Sequence, residues 1–196
     1  RGRCAHCGVA IGAQYPLVEA ASGLLAGIVA WKLGFGWPAM AALLFTWTLL
    51  AASVIDLHHQ LLPDDLTLPL LWLGLLAALF GLGTDLRSAV IGAMAGYLSL
   101  WLVYQGFRLL TGKEGMGHGD FKLLAALGAW IGWQHLVAIV LLSSLVGAIC
   151  GVALILLRGR ARSAPLPFGP FLAAAGWIVL LWGETINHAY LHWLGF

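Results

Sequence analysis

Charge is scarce in this sequence. Only 9% of its 196 residues are charged, against 61% hydrophobic, and ten basic and eight acidic side chains leave a net charge of +2. A chain so poor in charge has no basic stripe, which excludes nucleic acid as a partner. Its Leu/Ala/Val runs also exclude a soluble domain with a solvated surface. Cysteine is scarce too. Cys4, Cys7 and Cys150 are too few for a disulfide framework, and Cys150 reads as a small apolar filler within a span. An initiating Met is missing, and no apolar signal core precedes R-G-R-C-A-H-C, so a segment is expected upstream. What is abundant is tryptophan, with ten residues, and glycine, with 26. The Trp residues fall mostly near the ends of apolar runs, as belt residues of a polytopic membrane protein do.

The sequence predicts an all-α membrane helix bundle of about seven spans. They lie near 17–34, 37–57, 66–82, 87–110, 120–133, 135–157 and 169–186, and an eighth is expected upstream. The span at 120–133 is short and reads as tilted or part-crossing. Residues 1–15 read as the remnant of a small cytoplasmic zinc-binding domain, and 16–196 as the membrane domain. Pro16, Pro38 and Pro170 stand at first-turn positions, where a missing N–H costs nothing. Gly81, Gly83, Thr84 and Asp85 break the third span from the fourth. G-x-x-x-G pairs at Gly23/Gly27, Gly92/Gly96, Gly128/Gly132 and Gly147/Gly151 mark close helix packing in lipid. With a cytoplasmic N-terminus, Arg1, Arg3, Arg108, Lys113, Lys122, Arg158, Arg160 and Arg162 lie inside and only Lys32 and Arg87 outside, as the positive-inside rule requires.

The same threading carries Asp56 and Asp120, 64 residues apart, to one membrane face. A carboxylate at the edge of hydrocarbon is costly to keep charged and marks a functional site. Two that meet form an acid/base pair for peptide hydrolysis, one activating water while the other, protonated, polarises the scissile carbonyl. Asp56 lies near the C-terminus of its span and Asp120 near the N-terminus of its own. The helix dipoles therefore favour charge on Asp120 and a proton on Asp56, with the pair titrating as a unit. Gly117 and Gly119 before Asp120 read as a substrate loop that tolerates positive φ and leaves no Cβ in an extended peptide's path, so Gly119→Leu is expected to abolish cutting in a folded protein.

Other polar residues carry weaker signals. His118 reads as an exposed loop histidine, because paired carboxylates need no imidazole. Asp64 and Asp65, after Leu61-Leu62-Pro63, read as caps of the following helix. Glu114 and Asp85 read as solvated loop residues, and Glu19 as structural, an anchor, or a group serving a second activity. Cys4-x-x-Cys7 supplies two of the four ligands of a structural zinc site. Glu184, His188 and His192 recur every four residues and read as an interfacial stripe rather than a metal site.

Four segments in order carry a family resemblance: C-A-H-C with Q-Y-P-L-V-E at 14–19, I-D-L-H-H-Q-L-L-P-D-D-L-T-L-P-L-L-W at 55–72, G-H-G-D-F-K-L-L-A-A-L-G-A-W-I-G-W at 117–133 and P-F-G-P-F-L-A-A-A-G at 167–176. Together they resemble the bacterial type IV prepilin peptidases, membrane aspartic proteases of the G-x-G-D class. The resemblance implies Asp56 and Asp120 as catalytic residues, with no cofactor for proteolysis. The implied reaction removes a short basic leader from type IV prepilins or type II secretion pseudopilins after a glycine, at the cytoplasmic face of the inner membrane. It also implies N-methylation from S-adenosylmethionine, with structural zinc held by Cys4, Cys7 and ligands upstream; nothing in the sequence marks the methyl-donor site.

Two other classes compete. A proton-coupled transporter also carries intramembrane carboxylates, although carriers prefer midplane sites. An inactive scaffold would keep the G-x-x-x-G faces alone.

Overall fold

The computed structural model describes residues 2, 6–9, 12–112, 116–158 and 167–193. Among them are seven α-helices: α1 Gln14–Leu33, α2 Trp37–His59, α3 Asp64–Leu79, α4 Leu86–Thr111, α5 His118–Ile131, α6 Leu136–Arg158 and α7 Gly169–Trp193, with a 3-10 turn at Trp133–His135. All seven expected helices are present and no strand occurs among the described residues. Five of them, α1, α2, α4, α6 and α7, are long and apolar enough to cross a bilayer, which makes the chain a multi-pass membrane protein. The other two fall short. With 16 and 14 residues, α3 and α5 reach about 24 and 21 Å against a hydrocarbon core of about 30 Å.

The chain divides into two compact units, residues 1–47 and 48–196. The first holds α1 and the opening of α2, with Val29, Ala42 and Phe45 buried. Gly23 and Gly27 there meet nothing within 4 Å among the described residues.

The second unit is built around α5. From Phe121 to Ile131 every residue except Lys122 is buried, and α3, α4 and α7 pack around it while α6 packs on α7. Lipid is as apolar as the core, so this packing rests on close approach rather than on water exclusion. Glycine permits the approach. A Cβ on Gly92 would strike the backbone carbonyl of Gly128, one on Gly128 would strike that of Gly92, and one on Gly96 would lie 2.6 Å from the Leu124 carbonyl oxygen. Polar ties lock the register. The Trp130 indole N–H donates to the Leu70 carbonyl at 2.8 Å, and the Gln134 amide donates to Ser88 Oγ at 2.9 Å. Trp130 is thus a core residue and not a belt residue, because its N–H has a partner inside the bundle.

Helix ends follow local chemistry. Asp85 caps α4 by accepting the Ser88 amide at 3.0 Å, and Gly112 ends it in the left-handed conformation. Gly132, with φ +92°, ends α5. It serves the turn and also the close packing expected of the Gly128/Gly132 pair, since a Cβ there would lie 2.9 Å from Thr84 Oγ1.

Candidate active site

Asp56 stands in the last turn of α2. The Gln60 amide donates to the Asp56 carbonyl at 2.8 Å, and Gln60 itself takes a φ of +53°, which reverses the chain sharply into Leu61–Pro63. Asp120 stands in the first turn of α5, its amide donating to the Gly117 carbonyl at 3.3 Å. Both carboxylates are nearly enclosed, Asp56 at 5% exposure and Asp120 at 7%. They line one cavity of about 910 Å³, which Leu62, Asp64, Lys122 and Phe168 also line. The structure therefore brings together the two acidic residues that the threading carried to one face.

A third element holds the pair. Gly169, the first residue of α7, donates its N–H to Asp56 Oδ2 at 3.0 Å. A Cβ there would lie 2.6 Å from the same oxygen, so only glycine lets this backbone come so close. Gly169 is a functional residue with little to mark it in the sequence. Its one signal was the P-F-G-P text, where the glycine is set between helix-starting residues.

Lys122 Nζ reaches both oxygens of Asp64, at 2.6 and 2.7 Å, and ties the start of α3 to the second turn of α5. Asp64 is half exposed, so the pair contributes about 1 kcal/mol at most. This corrects the capping role expected of Asp64 and Asp65. Pro63 is the N-cap of α3, no side chain caps it, Asp64 turns toward Lys122, and Asp65 is exposed.

The positive φ expected of Gly117 and Gly119 is corrected as well. Gly117 has φ −74° and Gly119 is not among the positive-φ residues. Both line the cavity, but a Cβ on Gly119 would lie 2.6 Å from Leu62 Cβ, so the missing side chain makes room for Leu62. Gly119→Leu is then expected to stop cutting by displacing the α2–α3 turn. His118 is exposed as expected, yet it begins α5 instead of lying in a loop, with its ring 5.2 Å from that of Tyr104 and 5.5 Å from that of Phe121.

Cys4 falls outside the described residues, as do Glu114 and the side chains of His188 and His192. Cys7 is free and exposed, one donor available to a metal, and no group of three or more metal-binding side chains occurs among the described residues. Glu19 and Glu184 are exposed.

The cavity is recessed. α6 lines it through Ser144, Gly147 and Ala148 and then continues to Arg158, about 15 Å further along its axis. α4 touches the start of α5 through Tyr104 and continues to Thr111, about 10 Å further.

Residues 43–152 match the Type IV leader peptidase family, and residues 1–33 match the Bacterial Peptidase A24 N-terminal domain. Among curated relatives, a prepilin leader peptidase/N-methyltransferase of Pseudomonas aeruginosa is 62% identical over 195 residues, which is 100% of this chain and 67% of that protein. One of Aeromonas salmonicida is 63% identical, covering 97% of this chain and 66% of the relative. One of Xanthomonas campestris is 50% identical, covering 100% and 68%. The chain thus spans about two thirds of the length of these relatives. No solved structure matches it.

Proposed function

Because the chain belongs to the type IV leader peptidase family, we propose that it is an aspartic endopeptidase that removes the short basic leader from type IV prepilins and type II secretion pseudopilins after a glycine. Asp56 and Asp120 are its catalytic pair. One observation carries the reading: two carboxylates from distant parts of the chain, each almost fully buried, face a single cavity. Like charges so placed share one proton. The charged member takes a proton from water as the water oxygen bonds to the scissile carbonyl carbon. The protonated member donates its proton to the carbonyl oxygen. As the tetrahedral species collapses, the C–N bond breaks and the leaving nitrogen takes the first proton. The carbon-bound hydroxyl returns the second to the dyad.

Two local fields compete for the charge. The N-terminus of α5 favours it on Asp120, whereas the Gly169 N–H favours it on Asp56. Only the first of these fields is legible in the sequence, so the pair is better described as a unit than by one fixed assignment.

The distribution of basic residues supports an inner-membrane protein whose cavity opens to the cytoplasm. N-methylation of the new terminus from S-adenosylmethionine is proposed for the whole protein, on the names of the relatives. Cys4 and Cys7 would supply two thiolates to a structural zinc site completed by ligands elsewhere in that protein.

Purified protein in detergent, mixed with a prepilin, tests the peptidase. Cleavage is expected to disappear in both Asp56→Asn and Asp120→Asn. Cleavage that survives either substitution sinks the pair mechanism, and labelled S-adenosylmethionine in the same tube reports methyl transfer.

A further inference from the structure

One apolar side chain touches the supports of both carboxylates. Leu62, 8% exposed in the turn between α2 and α3, lies against Gly119 and Gly169 together. A methyl added at Gly119 would come 2.6 Å from Leu62 Cβ and 3.2 Å from its carbonyl oxygen. A methyl added at Gly169 would come 3.1 Å from Leu62 Cδ1. Gly119 is the residue before Asp120, and Gly169 is the amide that grips Asp56. The length of one leucine side chain thus separates the two backbones that carry and hold the dyad.

The turn bearing Leu62 is fixed at both ends. On one side Gln60 closes α2 on the Asp56 carbonyl, and on the other Asp64 is clasped by Lys122 from α5. A wedge held this way has no easy direction in which to yield, since Pro63 stiffens its C-terminal side. We infer that Leu62 is a positioning residue that sets the spacing of Asp56 and Asp120. The inference rests on the reading of those two as a working pair.

Two measurements on the purified chain test it, and they separate its failure from that of the peptidase reading. Infrared titration of the carboxyl bands, assigned with Asp56→Asn and Asp120→Asn, reads the coupling of the pair without any substrate. Cleavage of a synthetic prepilin peptide across pH reads its use. The other charged or titratable groups lining the cavity, Asp64, His118 and Lys122, are unchanged in every Leu62 variant. In Leu62→Ala the interval between the two carboxyl titrations is expected to change by about half a pH unit or more, because spacing sets their coupling. kcat is expected to fall about 100-fold, with KM within about threefold, as misplacement of catalytic groups by about an ångström costs. Leu62→Ile, which keeps the volume, is expected to recover most of both, and Leu62→Val stands in if the alanine variant does not fold.

Titrations that stay where they are in a folded Leu62→Ala or Leu62→Val protein overturn the wedge, whatever happens to cleavage. A loss confined to KM overturns it too. Cleavage that persists in Asp56→Asn or Asp120→Asn sinks the pair reading instead.

Discussion

A single methyl group at Gly169 is expected to disable the enzyme while leaving the bundle standing. The added Cβ would lie 2.6 Å from Asp56 Oδ2, 3.2 Å from its Cγ and 3.1 Å from Leu62 Cδ1. Side chains do not sit closer than 3.0 Å to such an atom, so the carboxylate has to withdraw, and the Gly169 N–H contact of 3.0 Å goes with it. A hydrogen bond to a charged group contributes about 2 kcal/mol, which is about 30-fold in rate if it is lost at the transition state. Displacement of Asp56 from its partner adds to that. Initial rates of prepilin-peptide cleavage by purified Gly169→Ala in detergent are therefore expected to fall by about 30-fold or more. Gly106→Ala is the control: a methyl at that α4 position meets nothing within 4 Å, and activity should stay at the wild-type level. A Gly169→Ala enzyme within about threefold of that control would refute the reasoning.

Two further predictions concern the scaffold. Gly92→Leu drives a branched side chain into the Gly128 backbone, which cannot swing aside as a rotamer can, so thermal unfolding in detergent should show a loss of about 3 kcal/mol or more, with Gly23→Leu nearly neutral by comparison. Asp85 is exposed, and hydrogen bonds from the hydroxyl and amide of Ser88 hold its carboxyl below the usual carboxylate range. A lowered folded value means that the cap stabilises above the unfolded pKa of 3.8 and loses that contribution as pH falls through the folded value. The melting-temperature gap between wild type and Asp85→Ala is thus expected to be full at neutral pH and to close in acid; a gap independent of pH would remove Asp85 as an ionised cap.

What the sequence made legible follows from contrast. In a chain with eight acidic residues, Asp56 and Asp120 stand out at the ends of apolar runs, and the order of spans was enough to bring them together. Helix existence was equally plain, because hydropathy and glycine or proline punctuation agree at most boundaries. Leu62 was invisible for the converse reason: one leucine among many apolar residues has no period, charge or spacing to mark it. Gly169 was hidden by its neighbours, since a glycine before Pro170 already has an ordinary explanation as a helix start. Asp64 was misplaced because proximity in sequence pointed to its own helix, while Lys122, 58 residues on, was the stronger partner.

The short helices explain why a carboxylate pair can work in a chain that lives in lipid. A full-length span would carry Asp120 to the membrane surface, where water screens one acid from the other. At 14 residues α5 is short and begins at the dyad, and α4 and α6 continue past its first turn. The dyad then lies below those helix ends but within a cavity open enough for a peptide. Both carboxylates are buried there, which strengthens the coupling that lets one proton be shared. The same recess demands an unwound substrate, because a helix about 10 Å across cannot present a backbone carbonyl to buried oxygens, whereas an extended chain can. A glycine at the scissile bond suits that requirement, since it breaks a helix at small energetic cost and leaves no side chain to meet Leu62 or Phe168 on the way in. Replacing that glycine by alanine in the peptide should therefore slow cleavage by the wild-type chain more than by Leu62→Ala, and an equal slowing of both would place the selectivity elsewhere in the cavity.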